Sequence, residues 1–146
     1  MLPISVCIIA KNEENYISEC LRRLSCYDWE IVVVDTGSTD RTVEIARTYT
    51  PNVRHFDWVN DFSAARNYSI SIASNDYILA VDCDEYLQAD EKTFETICNL
   101  PGLISLRQAG MLRRLSPSAE FSASAESTPI VHERIAGFFN RKFRHY

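Results

Sequence analysis

The stretch Tyr77-Ile78-Leu79-Ala80-Val81-Asp82-Cys83-Asp84-Glu85 decides how this chain is read. Apolar, β-favouring residues run straight into three carboxylates, which reads as a buried strand delivering acids to its carboxyl-terminal edge. Two aspartates one residue apart at such an edge suit a divalent cation and the phosphates that the cation carries. Magnesium and manganese are hard cations that prefer oxygen, and magnesium commonly takes one or two carboxylates plus substrate phosphates and water. An Asp-x-Asp after a strand also occurs in plain solvated turns, so the surrounding chain must give the pattern its meaning.

Upstream, two further units repeat the order of strand, polar loop and helix. Leu2 to Ala10 is a short apolar run followed by Lys11-Asn12-Glu13-Glu14. The pattern predicts a strand and then a helix capped by Asn12, with Ile17, Cys20, Leu21 and Leu24 forming one buried stripe up to about Cys26. Trp29 to Asp35 is apolar almost throughout, as a parallel strand covered on both faces requires. It breaks into Thr36-Gly37-Ser38-Thr39-Asp40, where Ser38, Thr39 or Asp40 caps a helix carrying Val43 and Ala46 and Gly37 gives backbone freedom. Capping leaves Asp35 unexplained. Val53 to Asp57 reads as a third strand. A helix follows with Asp61 as its cap and Ala64, Ala65, Tyr68 and Ile72 on its packing face; its Arg66 suits either a fork onto phosphate or carboxylate oxygens or a plain surface salt bridge. Such alternation implies an α/β domain with a mainly parallel sheet flanked by helices. Ligands of these sheets bind beyond the carboxyl ends of the strands, where Asp35, Asp82 and Asp84 fall.

Beyond the opening stretch, residues 89–98 read as a helix stopped by Pro101-Gly102, and residues 103–115 as an extended segment whose Ile104, Leu106, Met111 and Leu112 do not settle strand against helix. Residues 116–129, rich in Ser, Ala and Pro, read as a mobile loop. The alternation of residues 133–144 predicts a returning strand with a basic cluster at Arg141, Lys142 and Arg144.

At 146 residues the chain is expected to be a single domain, its first 100 residues a nucleotide-binding half and residues 103–146 part of an acceptor-side half. A net charge of -5 and a pI near 5.2 exclude the basic face of a nucleic-acid groove. The five cysteines lack CxxC spacing and an even count, so they read as free thiols in a reducing cytosol. No apolar run is long enough to cross a bilayer, and no basic leader precedes the first one. The expected location is the cytoplasm or the inner face of a membrane.

The segments at 4–14 (ISVCIIAKNEE), 31–42 (IVVVDTGSTDRT), 61–70 (DFSAARNYSI) and 77–87 (YILAVDCDEYL) together resemble the amino-terminal part of a family 2 glycosyltransferase with the GT-A fold, a Rossmann-like nucleotide-diphospho-sugar transferase. The flavour of the match is similar to bacterial enzymes that build lipopolysaccharide and other cell-envelope glycans. Ala10-Lys11 stands where many relatives carry a proline and a tyrosine. The resemblance implies that Ala10, Asn12 and Glu13 edge a nucleotide pocket, that Asp35 accepts the uracil imide hydrogen, and that Asp40 supports its loop. It implies that Arg66 contacts the nucleotide, that Asp82 lies near the ribose and cation, and that Asp82 and Asp84, as a DXD motif, hold Mn2+ or Mg2+. The implied reaction is inverting transfer of a sugar from a nucleotide-diphosphate donor, a UDP-sugar, to a hydroxyl of a glycan, lipid-linked or peptide acceptor. The catalytic base is expected beyond Tyr146, so that the chain reads as a fragment binding nucleotide. The alternatives are a non-catalytic nucleotide-binding domain and a haloacid-dehalogenase-like phosphatase with Asp82 as nucleophile.

Overall fold

The computed structural model describes residues 4–87, residue 92, and strands at 112–114 and 138–140. The order is β1 (Ile4–Ala10), α1 (Ile17–Leu24), β2 (Glu30–Asp35), α2 (Thr42–Arg47), β3 (Val53–His55), α3 (Phe62–Ser71), β4 (Tyr77–Ala80), β5 (Glu85–Leu87), β6 (Leu112–Arg114) and β7 (Phe138–Asn140). A five-stranded sheet runs β3-β2-β1-β4-β7, and β5 and β6 form a separate antiparallel ribbon. The first four strands of the large sheet are parallel, and β7 lies antiparallel on the β4 edge.

β1 is the middle strand, which explains why it reads as apolar at every position but Ser5. Its alternate side chains Ile4, Val6, Ile8 and Ala10 pack with Ile17, Cys20, Leu21 and Leu24 of α1 and Ala46 of α2. Cys7 faces the other way, into a cluster with Val32, Val34 and Ile78 that Ile70 and Ala73 cover from α3 and its carboxyl-terminal turn. Helices α1 and α2 therefore lie on one face and α3 on the other. Right-handed crossovers demand this arrangement: the chain steps from β1 to β2 to β3 in one direction, then reverses to reach β4 on the far side of β1. The reversal opens a crevice beyond the carboxyl ends of β1 and β4.

Both sides of that crevice rest on rigid packing. Ile4, Ile8, Ile78 and Leu79 are fully buried, and truncating such a side chain to Ala costs roughly 2–5 kcal/mol. At the opposite edge of the sheet the Glu30 carboxylate accepts from the Ser5 hydroxyl and from the Ser74 amide and hydroxyl, both at 2.8 Å. The Asn75 amide donates to Ser5 Oγ at 3.1 Å. This polar clamp pins the turn after α3 and helps seat β4 on β1 with Ile4 opposite Tyr77.

Local structure departs from the sequence reading in places. Asn12 does not cap α1. It takes a left-handed conformation, φ 53, which Asn tolerates better than most side chains. A turn in which the Tyr16 and Ile17 amides donate to the Glu13 carbonyl then delays the helix to Ile17. The expected stripe of Ile17, Cys20, Leu21 and Leu24 is buried as a unit. Asp61 does cap α3, its Oδ1 accepting from the Ser63 amide at 2.8 Å. Among the packing residues expected on α3, Ala65 is buried, Tyr68 and Ile72 pack against the second cluster, and Ala64 is half-buried. The returning strand is realised at β7, and part of the extended segment at β6. The helix expected over 89–98 (Lys92 apart), the loop at 116–129, the basic cluster at 141–144 and Cys98 lie outside the described residues. Among the described residues no helix is long and apolar enough to cross a membrane.

Candidate functional site

The loops that leave β1 and β2 are bound to each other residue by residue. The Asn12 amide donates to Ser38 Oγ at 2.9 Å, and Asn12 Oδ1 accepts from the Thr39 amide at 2.8 Å. The Glu13 amide donates to Thr42 Oγ1 at 2.7 Å and the Glu14 amide to Asp40 Oδ2 at 3.2 Å. Asp40 Oδ1 accepts from the amide and hydroxyl of Thr42 at 2.9 and 2.5 Å, which holds the first turn of α2 from two residues upstream. Desolvation works upward on the Asp40 carboxyl, but the bonds from Thr42 and Glu14 outweigh it and keep the group below its ordinary value. Asn12 and Asp40 are thus the stitches between two loops.

Asp35 ends β2 and turns back beneath its own loop. Its carboxylate accepts from the Gly37 amide at 3.1 Å and the Ser38 amide at 3.2 Å, with His55 Nδ1 at 3.5 Å from Oδ2. Only 8% of the side chain is exposed. Gly37 adopts φ 109, and no atom lies within 4 Å of where a Cβ would stand, so the space above this turn is open.

On β4 the acidic stretch forms a locked turn. The Asp82 amide donates to Glu85 Oε2 at 3.0 Å, and the Glu85 amide returns a bond to the Asp82 carbonyl at 2.9 Å. Glu85, the third carboxylate of the stretch, is buried and serves the backbone. Cys83 and Cys20 pack beneath the turn. Burial, reinforced by nearby acids, pushes the Cys20 thiol up to about 12, and burial pushes Cys83 higher still, so both are inert at neutral pH. Arg66 reaches the turn from α3, donating through Nη2 to Asp82 Oδ1 at 3.1 Å and through Nη1 to the Cys7 carbonyl at 3.2 Å. The arginine is 14% exposed and Asp82 37%, so this is no loose surface pair.

These elements enclose a cleft of about 480 Å3, within the range of small-molecule sites. Glu13, Arg66, Asp82 and Asp84 meet in its lining with Lys11 and Thr36. Burial comes first, and the charges of Asp84, Asp82 and Asp40 second, in pushing the Glu13 carboxyl up. The cleft is therefore a place where carboxylates repel one another and a cation would relieve them. Its donors are oxygens, as a hard cation requires. Among the described residues, however, no three His, Cys, Asp or Glu side chains are gathered closely enough to hold a metal ion by themselves. Ala10, Asn12, Asp35 and Asp40 stand outside the lining. Ala10 is buried, and its carbonyl accepts from the Thr36 amide at 3.0 Å. Trp58 and Phe62, which also line the cleft, carry no expectation from the sequence. The available signal was two aromatics four residues apart around a helix cap, with no apolar pattern to bury them.

The chain is similar to several known proteins, glycosyltransferases among them. A TPR repeat-containing protein of Synechococcus elongatus is 42% identical over 87 residues, 60% of this chain and 22% of its own length. The SPbeta prophage-derived glycosyltransferase SunS of Bacillus subtilis is 38% identical over 87 residues, 58% of this chain and 21% of its own length. The matched stretch thus spans about a fifth of these relatives. Among solved structures, S. aureus TarS 1-349 in complex with UDP-GlcNAc is 29% identical with a TM-score of 0.54, over 66% of this chain and 30% of that one. Glucosyl-3-phosphoglycerate synthase from Mycobacterium tuberculosis in complex with Mn2+ and UDP-glucose is 27% identical with a TM-score of 0.50, over 57% of this chain and 33% of that one. The fold is GT-A. Residues 5–103 match the model of glycosyl transferase family 2, and the chain belongs to that family.

Proposed function

We propose that this chain supplies the donor half of a glycosyltransferase: it binds a UDP-sugar with a divalent cation and presents the anomeric carbon to an acceptor hydroxyl. The observation that carries the reading is the meeting of Arg66, Asp82, Asp84 and Glu13 in one cleft at the switch between β1 and β4. Likeness to relatives crystallised with UDP-GlcNAc, and with UDP-glucose and Mn2+, supports the choice of donor.

In this reading Asp84, with Asp82 beside it, would hold Mn2+ or Mg2+ through carboxylate oxygens. The cation would neutralise charge developing on the departing diphosphate. Arg66 fixes one oxygen of Asp82 and so sets the direction of the carboxylate. That engagement also argues against a phosphatase in which Asp82 is a free nucleophile. Asp35 retains acceptor capacity for an imide hydrogen, because Oδ1 receives only the Ser38 amide among the bonds described and the space over Gly37 is open. Asn12 and Asp40 act at one remove, holding the loops that carry Glu13 and Thr36. Attack by the acceptor hydroxyl in line with the leaving diphosphate inverts the anomeric centre, and a base removes the hydroxyl proton. The acceptor is a glycan, a lipid-linked saccharide or a peptide of the bacterial envelope, and the working place is the cytoplasmic side of the membrane.

Titration calorimetry tests the assignment. UDP is expected to bind in the presence of Mn2+ and weakly with a chelator, and Asp84→Ala is expected to abolish the difference. Equal binding with and without chelator in the unaltered protein would refute the cation role.

A further inference from the structure

Cation and diphosphate chemistry leave Trp58 and Phe62 unexplained. Their rings meet edge to face, with centroids 4.7 Å apart and planes at 71°. Phe62 is 74% exposed although it opens a well-packed helix. The Trp58 indole N–H is committed to Asn60 Oδ1 at 3.0 Å, and Asn60 takes φ 58 to make the turn. With its only polar atom used locally, the indole offers the cleft π surface alone.

The sheet order says which end of a ligand would meet that surface. Trp58 follows β3, on the β2 side of the sheet, whereas Asp82 and Asp84 lie at the end of β4 on the other side of β1. Phe62 precedes Arg66 by one helical turn on the same face of α3, and Thr36 lines the cleft from the end of β2. A nucleoside diphosphate with its phosphates at the acids and its other end toward β2 lays its base among Thr36, Trp58 and Phe62. We infer that the Trp58–Phe62 pair is the stacking wall for the nucleobase, an assignment that rests on the nucleotide-diphosphate reading above. It places the aromatic contact on the connection between β3 and α3, at a site that the loop after β1 lines with Lys11 and Glu13, neither of them aromatic.

Binding of UDP, UMP and inorganic pyrophosphate, each with Mn2+, measured by calorimetry on the full chain tests the inference. Phe62→Ala removes an exposed ring and leaves the fold intact, and Trp58→Leu provides a second variant. Each is expected to weaken UDP and UMP by roughly 5- to 150-fold, the range that base–aromatic stacking supplies, with pyrophosphate unchanged; Phe62→Trp should restore the nucleotides. UDP and UMP affinities unchanged in both variants would overturn the stacking wall while leaving the nucleotide site standing. An equal loss for pyrophosphate, or a loss seen for UDP-glucose but not for UDP, would overturn it by moving the pair to the phosphates or the sugar. No binding of UDP to the unaltered protein would bring down the nucleotide reading and this inference together.

Discussion

Arg66→Met tests whether the arginine is the counterion that makes the acidic turn tolerable. The substitution keeps much of the stem and removes two bonds, to Asp82 Oδ1 at 3.1 Å and to the Cys7 carbonyl at 3.2 Å. The carbonyl retains its bond from the Val81 amide, so the larger loss is at Asp82. A charge-assisted hydrogen bond contributes about 1.5–3 kcal/mol, and the 37% exposure of Asp82 puts this one at the lower end of that range. Arg66→Met also leaves Asp82 without its ion-pair partner in a cleft it shares with Glu13 and Asp84, so its total effect should be about 2 kcal/mol. Asp82→Asn loses the same pair but removes one member of the repelling cluster, and should cost under about 1 kcal/mol. Urea unfolding in the presence of a chelator, with unchanged m-values, gives the four corners of the double-mutant cycle. A coupling of about 1 kcal/mol is expected. Coupling below about 0.3 kcal/mol, the scatter of independent sites, or an Asp82→Asn loss larger than that of Arg66→Met, would refute the counterion argument.

Two further outcomes follow from the loops at the end of β2. Gly37→Ala should lower stability by about 1–2 kcal/mol through its φ of 109 alone. Because no atom lies near the added Cβ, Gly37→Ser should lose about as much in thermal unfolding; a far greater loss would show a clash instead of backbone strain. His55 should titrate above 6.5, first because Asp57 bonds Nε2 at 2.9 Å and then because Asp35 lies near Nδ1. Its contribution to stability is full below pH 6.5 and fades as pH rises through the raised folded value. Asp57→Asn should bring the imidazole titration, followed by NMR, back toward 6.5, and a His55 value at or below 6.5 in the unaltered protein would refute the ion pair.

Much of the architecture is legible in residue order because burial on two faces leaves a plain trace. Ile4 to Ala10, broken only by Ser5, and Ile31 to Val34 read as apolar runs, and they occupy the centre of the sheet. The stripe on α1 and the Asp61 cap were equally visible, since helical spacing and a side-chain acceptor before an amide are local matters. Asn12 was misread for the same reason. An Asn before a helix pattern suits a cap locally, but here it bonds Ser38 and Thr39, far along the chain.

The alternation of strand and helix, the parallel sheet and the placing of acids at the strand ends can all be read from residue order, because each follows from the periodicity and chemistry of short segments. Which of those acids share a cleft depends on contacts between distant segments. Reversal of strand order between β1 and β4 brings Glu13, Arg66, Asp82 and Asp84 together, while the turn after β2 folds Asp35 under its own amides. Long-range pairing selects among neighbours that lie dozens of residues apart, and no local pattern records that choice.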